Sequence, residues 1–206
     1  GALGGAVVLI PELASVAADS EWPEARCEAV TLIGQIENFG GEGMMALAAA
    51  TKDKDDAVSR AAVRAIASLW PPEPGQVAQQ SLTTLLLLLQ GDGSPELRCE
   101  VLQVLPRLVG RGISEAAAAA GAALADSDVS VSNAALQALR KMSLRGDRAL
   151  EEILLQHISQ PDPELCKACV ELLGLIFERG SQGERALLAL RDGPDEDLAS
   201  VANSAL

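Results

Sequence analysis

The four cysteines are the first residues to weigh for chemistry, because paired thiolates bind metals or carry redox reactions. Cys166 and Cys169 have the C-x-x-C spacing, but they lie within a helical pattern and no second pair follows them. Cys27 and Cys99 occupy the same position in two copies of a repeated motif, which indicates duplication rather than a shared metal site. We therefore expect small buried residues, reduced in an intracellular compartment, and no metal centre.

His157 is the only histidine, so no Ser-His-Asp arrangement has alternatives to test. It lies in an apolar helical segment, where a structural role is expected rather than a catalytic one. The acidic clusters at 53–56 and 195–197 carry enough carboxylates to attract calcium, but they lack the alternating spacing and closing Glu of an EF-hand loop. The glycine-rich stretches lack the Lys-Ser/Thr of a phosphate loop. The sequence thus predicts no catalytic residue, no cofactor and no metal.

The charge of the chain limits its partners. The net charge is −13, and the acidic residues are spread along the chain rather than gathered in a tail. A nucleic-acid binder needs a basic stripe, which is absent, and an anionic membrane surface would repel this chain. The longest unbroken apolar run, 44–50, is far shorter than the ~20 residues that span a bilayer. We expect a protein partner, no nucleic acid and no direct membrane insertion.

The elements that carry these residues form an internal repeat. The segments 23–30 and 95–102 match at five of eight positions, and further copies follow at a near-constant spacing. Residues at the third position of each copy, used here as anchors, are spaced 33, 39, 34, 34 and 33 residues apart. The long interval contains a proline-rich loop insertion at 71–75. The anchors are Ala25, Val58, Leu97, Val131, Leu165 and Leu198.

Each copy has the pattern of a helix–turn–helix unit. Apolar residues at offsets 0, 4, 8 and 11 from the anchor form one stripe of a helix, and the residue at offset 4 is small enough for close packing. A second apolar segment precedes each anchored helix. Asp or Ser lies just before that helix as an expected N-cap, and a glycine is expected at or shortly after its end, as at Gly40, Gly110, Gly146 and Gly180.

With these residues in place, the sequence resembles the HEAT-repeat family from about residue 5 to the end. The anchor, the small residue four positions on and the aspartates of the turn carry the resemblance, and two units keep a basic residue after the anchor, Arg26 and Arg98. The signatures of tetratricopeptide and ankyrin repeats are absent, while the armadillo unit is a near neighbour. The resemblance implies an all-α fold, an α-solenoid of about six repeats in a right-handed superhelix, with second helices lining a concave protein-binding face.

We therefore interpret the chain as one array over residues 1–206, with a helical pattern still running at its end. The expected units are approximately 5–39, 40–70, 71–112, 113–145, 146–180 and 181–206. The function expected from this resemblance is a non-catalytic scaffold or accessory subunit of a larger assembly. The alternative is a HEAT-like lyase or assembly chaperone of the type that attaches bilin chromophores to phycobiliproteins. Either would act inside the cell, in the cytoplasm or in an organelle such as a plastid.

Offsets three, six and ten from each anchor point away from the apolar stripe. The polar residues there form what we call the second-helix face, where a protein partner is expected to bind. Its candidate contact residues are Glu28, Gln35, Arg64, Glu100, Gln103, Arg107, Gln137, Lys141 and Glu171.

Overall fold

The computed structural model describes residues 9–36, 40–68, 76–91, 93–109 and 114–206. Within these residues all regular elements are helical, which confirms the all-α prediction. None of the helices so described is both long and apolar enough to cross a bilayer. The predicted insertion at 71–75 and the predicted helix-ending Gly110 lie outside the described residues.

The chain divides into two compact units, and the first comprises residues 1–108. In this unit the first helices of successive repeats pack together, α1 on α3 and α3 on α5, and the second helices α2 and α4 also pack together. The six helices that begin in it are α1 Ile10–Asp19, α2 Pro23–Ile33, α3 Gly40–Ala50, α4 Asp56–Ser68, α5 Gln76–Gln90 and α6 Pro95–Val109.

The second unit comprises residues 109–206 and repeats the same arrangement. The first helices α7, α9 and α11 pack in series, as do the second helices α8, α10 and α12. A short 3-10 turn at Ala123–Ala125 extends α7 towards α8. The helices of this unit are α7 Ser114–Ala122, α8 Val129–Met142, α9 Arg148–Ile158, α10 Pro163–Ile176, α11 Gln182–Arg191 and α12 Glu196–Ala205.

The core contains the apolar stripe of the second helices, as the offsets predict, together with apolar residues of the first helices such as Leu47. In α8 the four stripe residues Val131, Ala135, Leu139 and Met142 are all at most 2% exposed. Because stripe residues recur every three to four positions, one side of the helix is buried and the other faces solvent. The helix therefore orients its polar offsets outward.

The helix ends follow the predicted chemistry with two exceptions. The Asp128, Asp162 and Asp195 carboxylates accept backbone N–H groups in the first turns of α8, α10 and α12. At α2 the prediction of an Asp or Ser cap is wrong: Ser20 lies three residues before the first helical residue, too far to reach the N–H groups of the first turn, and the N-cap residue is Trp22. Gly40 begins α3 instead of ending the preceding helix.

Two glycines allow adjacent second helices to approach closely. A Cβ atom placed on Gly34, at the end of α2, would lie 2.7 Å from the Ala65 Cβ of α4. A Cβ on Gly174 of α10 would lie 2.6 Å from the Ala205 Cβ of α12. Counted from their anchors, both glycines are at offset nine and both alanines at offset seven. The same small-residue contact thus recurs in each unit.

Candidate functional site

The second-helix face is solvent-accessible in both units. Eight of its nine candidate residues are exposed, and Glu100 is half-buried. The exposed ones in the first unit are Glu28, Gln35, Arg64, Gln103 and Arg107, and those in the second unit are Gln137, Lys141 and Glu171.

Ion pairs join neighbouring second helices across this face. The Arg64 guanidinium of α4 donates to both carboxylate oxygens of Glu100 in α6, from Nη2 at 2.6 Å and from Nε at 2.8 Å. In the second unit, Arg140 of α8 pairs with Glu171 of α10. The third pair joins Lys167 Nζ of α10 to Asp197 Oδ2 of α12 at 3.2 Å.

All three ion pairs keep one register. In each pair, the offset of the residue on the later helix is three lower than the offset of its partner on the earlier helix. Offset six pairs with offset three, offset nine with offset six, and offset two with offset minus one. Arg140 and Lys167 were not among the predicted contact residues, although opposite charges at these related offsets were visible in the sequence. Such exposed pairs contribute only about 0–1 kcal/mol each, so they align the helices more than they stabilise them.

Three glutamines of the second-helix face have side-chain amides that are available for hydrogen bonding. The side-chain amides of Gln35, Gln103 and Gln137 make no hydrogen bond within the described part of the chain. Each amide offers two donors and one acceptor, so it can bond to either polar group of a peptide backbone. The second-helix face therefore combines charged residues that are paired within the chain with amide groups that are available to bond a partner.

In the sixth unit the position after the anchor is Ala199, which has no side-chain donor, but in the other five units the residue directly after the anchor has a structural role. Its side chain donates to a backbone carbonyl in the turn before its own helix: Ser59 Oγ to Asp53 O at 3.1 Å, and Ser132 Oγ to Asp126 O at 3.1 Å. Arg98 makes the corresponding bond to Gly93 O. The position thus favours a side chain that can donate a hydrogen bond, and arginine is one of several residue types that can do so.

Arg26 occupies this position in the first unit and is almost fully buried, at 2% exposed. Its Nη1 donates to Ser20 O at 2.8 Å, while Nε and Nη2 each donate to a carboxylate oxygen of Asp53 at 2.7 Å. This bidentate bond lowers the pKa of the Asp53 carboxyl, despite the opposing effect of its burial. Arg26 therefore joins α2 to the turn between α3 and α4.

The C-x-x-C pair of α10 is buried, as expected. Cys166 Sγ donates to Ile158 O and Gln160 O, both at 3.3 Å, so it fills the same donor position as the serines above. Burial raises the pKa of Cys166, and burial raises the pKa of Cys169 to about 12. Since the thiolate is the reactive form, neither residue is suited to nucleophilic transfer chemistry. The expectation of burial is wrong for Cys27 and Cys99, which are half-buried because offset two lies at the margin of the stripe.

His157 links two first helices of the second unit. Its Nε2 lies 3.1 Å from the carbonyl oxygen of Gly121, and its Nδ1 lies 3.2 Å from the Gln160 amide nitrogen. A carbonyl only accepts, so Nε2 carries the hydrogen and Nδ1 accepts from Gln160. The buried imidazole thus has both nitrogens satisfied, in agreement with the structural role expected for it.

The acidic clusters are engaged with neighbouring groups. Asp55 accepts the N–H groups of Ala57 and Val58 at the start of α4, and Asp56 pairs with Arg60. Across the described residues, no three His, Cys, Asp or Glu side chains come together as a metal site would require. Five of the six carboxylates in the two clusters therefore have capping or pairing partners, and the exposed Glu196 has none within the described residues.

No family model and no curated protein matches the chain. Solved structures are similar to it: the archaeal HEAT-like repeats protein from Thermococcus onnurineus NA1 is 16% identical, with a TM-score of 0.52 over 98% of this chain and 90% of that one. A designed armadillo repeat protein in complex with the peptide (KR)4 is 17% identical, with a TM-score of 0.51 over 95% and 97%. The Pds5–Scc1 complex has a TM-score of 0.61 at 14% identity, over 98% of this chain and 36% of that chain. These likenesses show that the fold is of the armadillo and HEAT-like type.

Proposed function

We propose that this chain, whose fold is that of armadillo and HEAT-like repeat proteins, is a non-catalytic scaffold that holds a partner protein on its second-helix face. The observation that carries the proposal is the constant register of the second helices. Because the ion-paired second helices meet with the same shift of three residues in offset, polar groups near offset six of one helix lie beside those at offset three of the next within each unit. Such an extended surface suits a polypeptide better than a small molecule.

The partner is expected to make polar contacts with this face. Of the charged residues there, Arg64 and Glu100 satisfy one another, as do Glu171 and Arg140. The open glutamine amides then supply hydrogen bonds that a partner backbone can use. Two of the similar structures are, by their descriptions, complexes with a peptide or with another protein, which supports this choice of partner class.

Site-directed photo-cross-linking in a native extract tests the proposal. A photoreactive residue replaces Gln103 or Gln137 of the second-helix face, and in the matched control it replaces Gln156, which is also an exposed glutamine but lies on the first helix α9. We expect a defined protein adduct from positions 103 and 137 and none from position 156. Equal cross-linking from all three positions, or a native mass that shows only the monomer, would contradict the proposal.

A further inference from the structure

A cleft of about 650 Å³ lies in the first unit, beside the turns that precede α4 and α6. We call it the turn cleft. None of the nine residues of the second-helix face lines it, so it is a separate surface. Its lining includes Ala48, Lys52, Lys54, Leu87, Leu88 and Leu97.

The floor of the turn cleft is apolar. Leu97 is buried and Ala48 and Leu88 are half-buried, but the Leu87 side chain of α5 is 62% exposed. A leucine left this open beside other apolar groups favours a contact that removes it from water. The floor therefore provides a binding position for an aliphatic side chain.

The rim of the turn cleft carries two lysines that have no ion-pair partner among the described residues. These two residues, Lys52 and Lys54, are exposed. The two carboxylates that also line the cleft are already engaged, Asp53 by the buried Arg26 and Asp56 by Arg60 at 2.9 Å. Two available ammonium groups thus border an apolar floor in a chain whose net charge is −13.

Comparison of the six repeats indicates that stacking of the repeats does not require Lys52 and Lys54. They lie six and four residues before the anchor Val58, and no other repeat has a basic residue at either offset. The corresponding residues before the other anchors are Asp19 and Glu21, Gly91 and Gly93, Ala125 and Ser127, Ser159 and Pro161, and Asp192 and Pro194.

We propose that the turn cleft binds a short segment of a partner protein that combines a leucine-like side chain with carboxylates. The aliphatic group covers Leu87 and contacts Ala48, while the carboxylates pair with Lys52 and Lys54. A basic segment would meet like charge at the rim, and an uncharged one would leave both ammonium groups unused. This partner chemistry differs from the backbone contacts proposed for the second-helix face, so the two sites are independent.

Phage display identifies the segment without prior choice of sequence. A random dodecapeptide library is selected on the full chain and counter-selected on the Lys52→Glu/Lys54→Glu variant. The peptides that depend on the lysines should share an aliphatic residue flanked by Asp or Glu. Failure to enrich any lysine-dependent peptide, or enrichment of peptides without carboxylates, would overturn the proposal.

Fluorescence anisotropy with the labelled consensus peptide then measures each contribution. We expect Lys52→Glu/Lys54→Glu to raise Kd at least about tenfold, Leu87→Ser to raise it severalfold, and added salt to weaken binding. The charge-matched control Arg148→Glu/Arg179→Glu and the exposure-matched control Leu175→Ser should leave Kd unchanged. Equal loss in a control and its matched variant would refute the site. Circular dichroism checks that each variant keeps its fold.

Discussion

At the scale of single residues, the position after the anchor shows how one structural task accepts several side chains. Arg26, Ser59, Ser132 and Cys166 differ in charge and size, yet each donates a hydrogen bond to a carbonyl of the preceding turn. A buried carbonyl without a partner costs about 1–3 kcal/mol, which is a sufficient reason to keep a donor there. Arg26 also forms an ion pair with Asp53, which links its repeat to the next one.

The Arg26–Asp53 bond predicts a pH-dependent stability. The pKa of Asp53 is lower in the folded chain than in the unfolded chain, so its contribution is fully present above the unfolded value of about 3.9 and is lost as the pH falls through the folded value. We expect Asp53→Asn to lower the melting temperature by about 5 °C at pH 7, because it leaves Arg26 buried without a counter-ion.

Thermal unfolding followed by circular dichroism between pH 3 and pH 7, in ordinary buffers, measures this effect. The gap between wild type and Asp53→Asn should shrink as the solution is acidified to about pH 3. Glu152→Gln, which replaces an exposed carboxylate on α9 that has no ion pair in the described part of the chain, serves as the control and should change little. A pH-independent gap would show that the ion pair is not its source.

At the scale of helices, the close contact between adjacent second helices depends on glycine. Helix propensity alone would favour alanine over glycine by about 1 kcal/mol. At Gly34 and Gly174, however, a Cβ would be placed within 3 Å of the next second helix, against Ala65 and Ala205 respectively. Packing between repeats therefore outweighs local propensity at these two positions.

Gly34→Ala is expected to destabilise the chain by about 1–3 kcal/mol, because the new methyl group must push α2 away from the buried Ala65 of α4. Gly41→Ala is the matched control, since nothing lies within 4 Å of a Cβ on Gly41 in α3. That control should be neutral or stabilising by up to about 1 kcal/mol. Urea unfolding measures both, and the same sign for the two variants would contradict the close-packing argument.

At the scale of the whole molecule, helices pack against neighbours that are near in sequence. Within each unit, first helices pack on first helices and second helices on second helices of adjoining repeats. Interactions that are short-range along an array let its parts open separately, so stability in repeat proteins is approximately a sum over repeats and their interfaces. The clustering of contacts into residues 1–108 and 109–206 agrees with this organisation.

A substitution in one unit should therefore leave the helices of the other unit unaffected. In the Gly34→Ala variant, we expect faster amide hydrogen exchange in α2 and α4 and unchanged exchange in α10 and α12 of the second unit. Mass spectrometry of peptic fragments resolves these helices. A uniform rise in exchange across all helices would show that the chain opens as one cooperative body instead.

The sequence by itself determined the helical elements, the repeat and the outward offsets. Its anchors and their stripe predicted the buried side of each second helix, because a 3.6-residue period is a local property that needs no knowledge of the partner helix. The exposure of Gln103, Gln137 and the other face residues followed from the same period. The caps at Asp128, Asp162 and Asp195 were also visible, since capping involves only neighbouring residues.

Only the tertiary structure decided which groups from separate repeats meet. The pairing of Arg64 with Glu100, the bond from Arg26 to Asp53 and the contact of His157 with Gly121 each join residues 27 to 36 positions apart. Their partners depend on the register between two helices, which is set by how small residues such as Gly34 pack and not by the period of either helix. The same register leaves Arg64 and Glu100 satisfied by one another and the glutamine amides open.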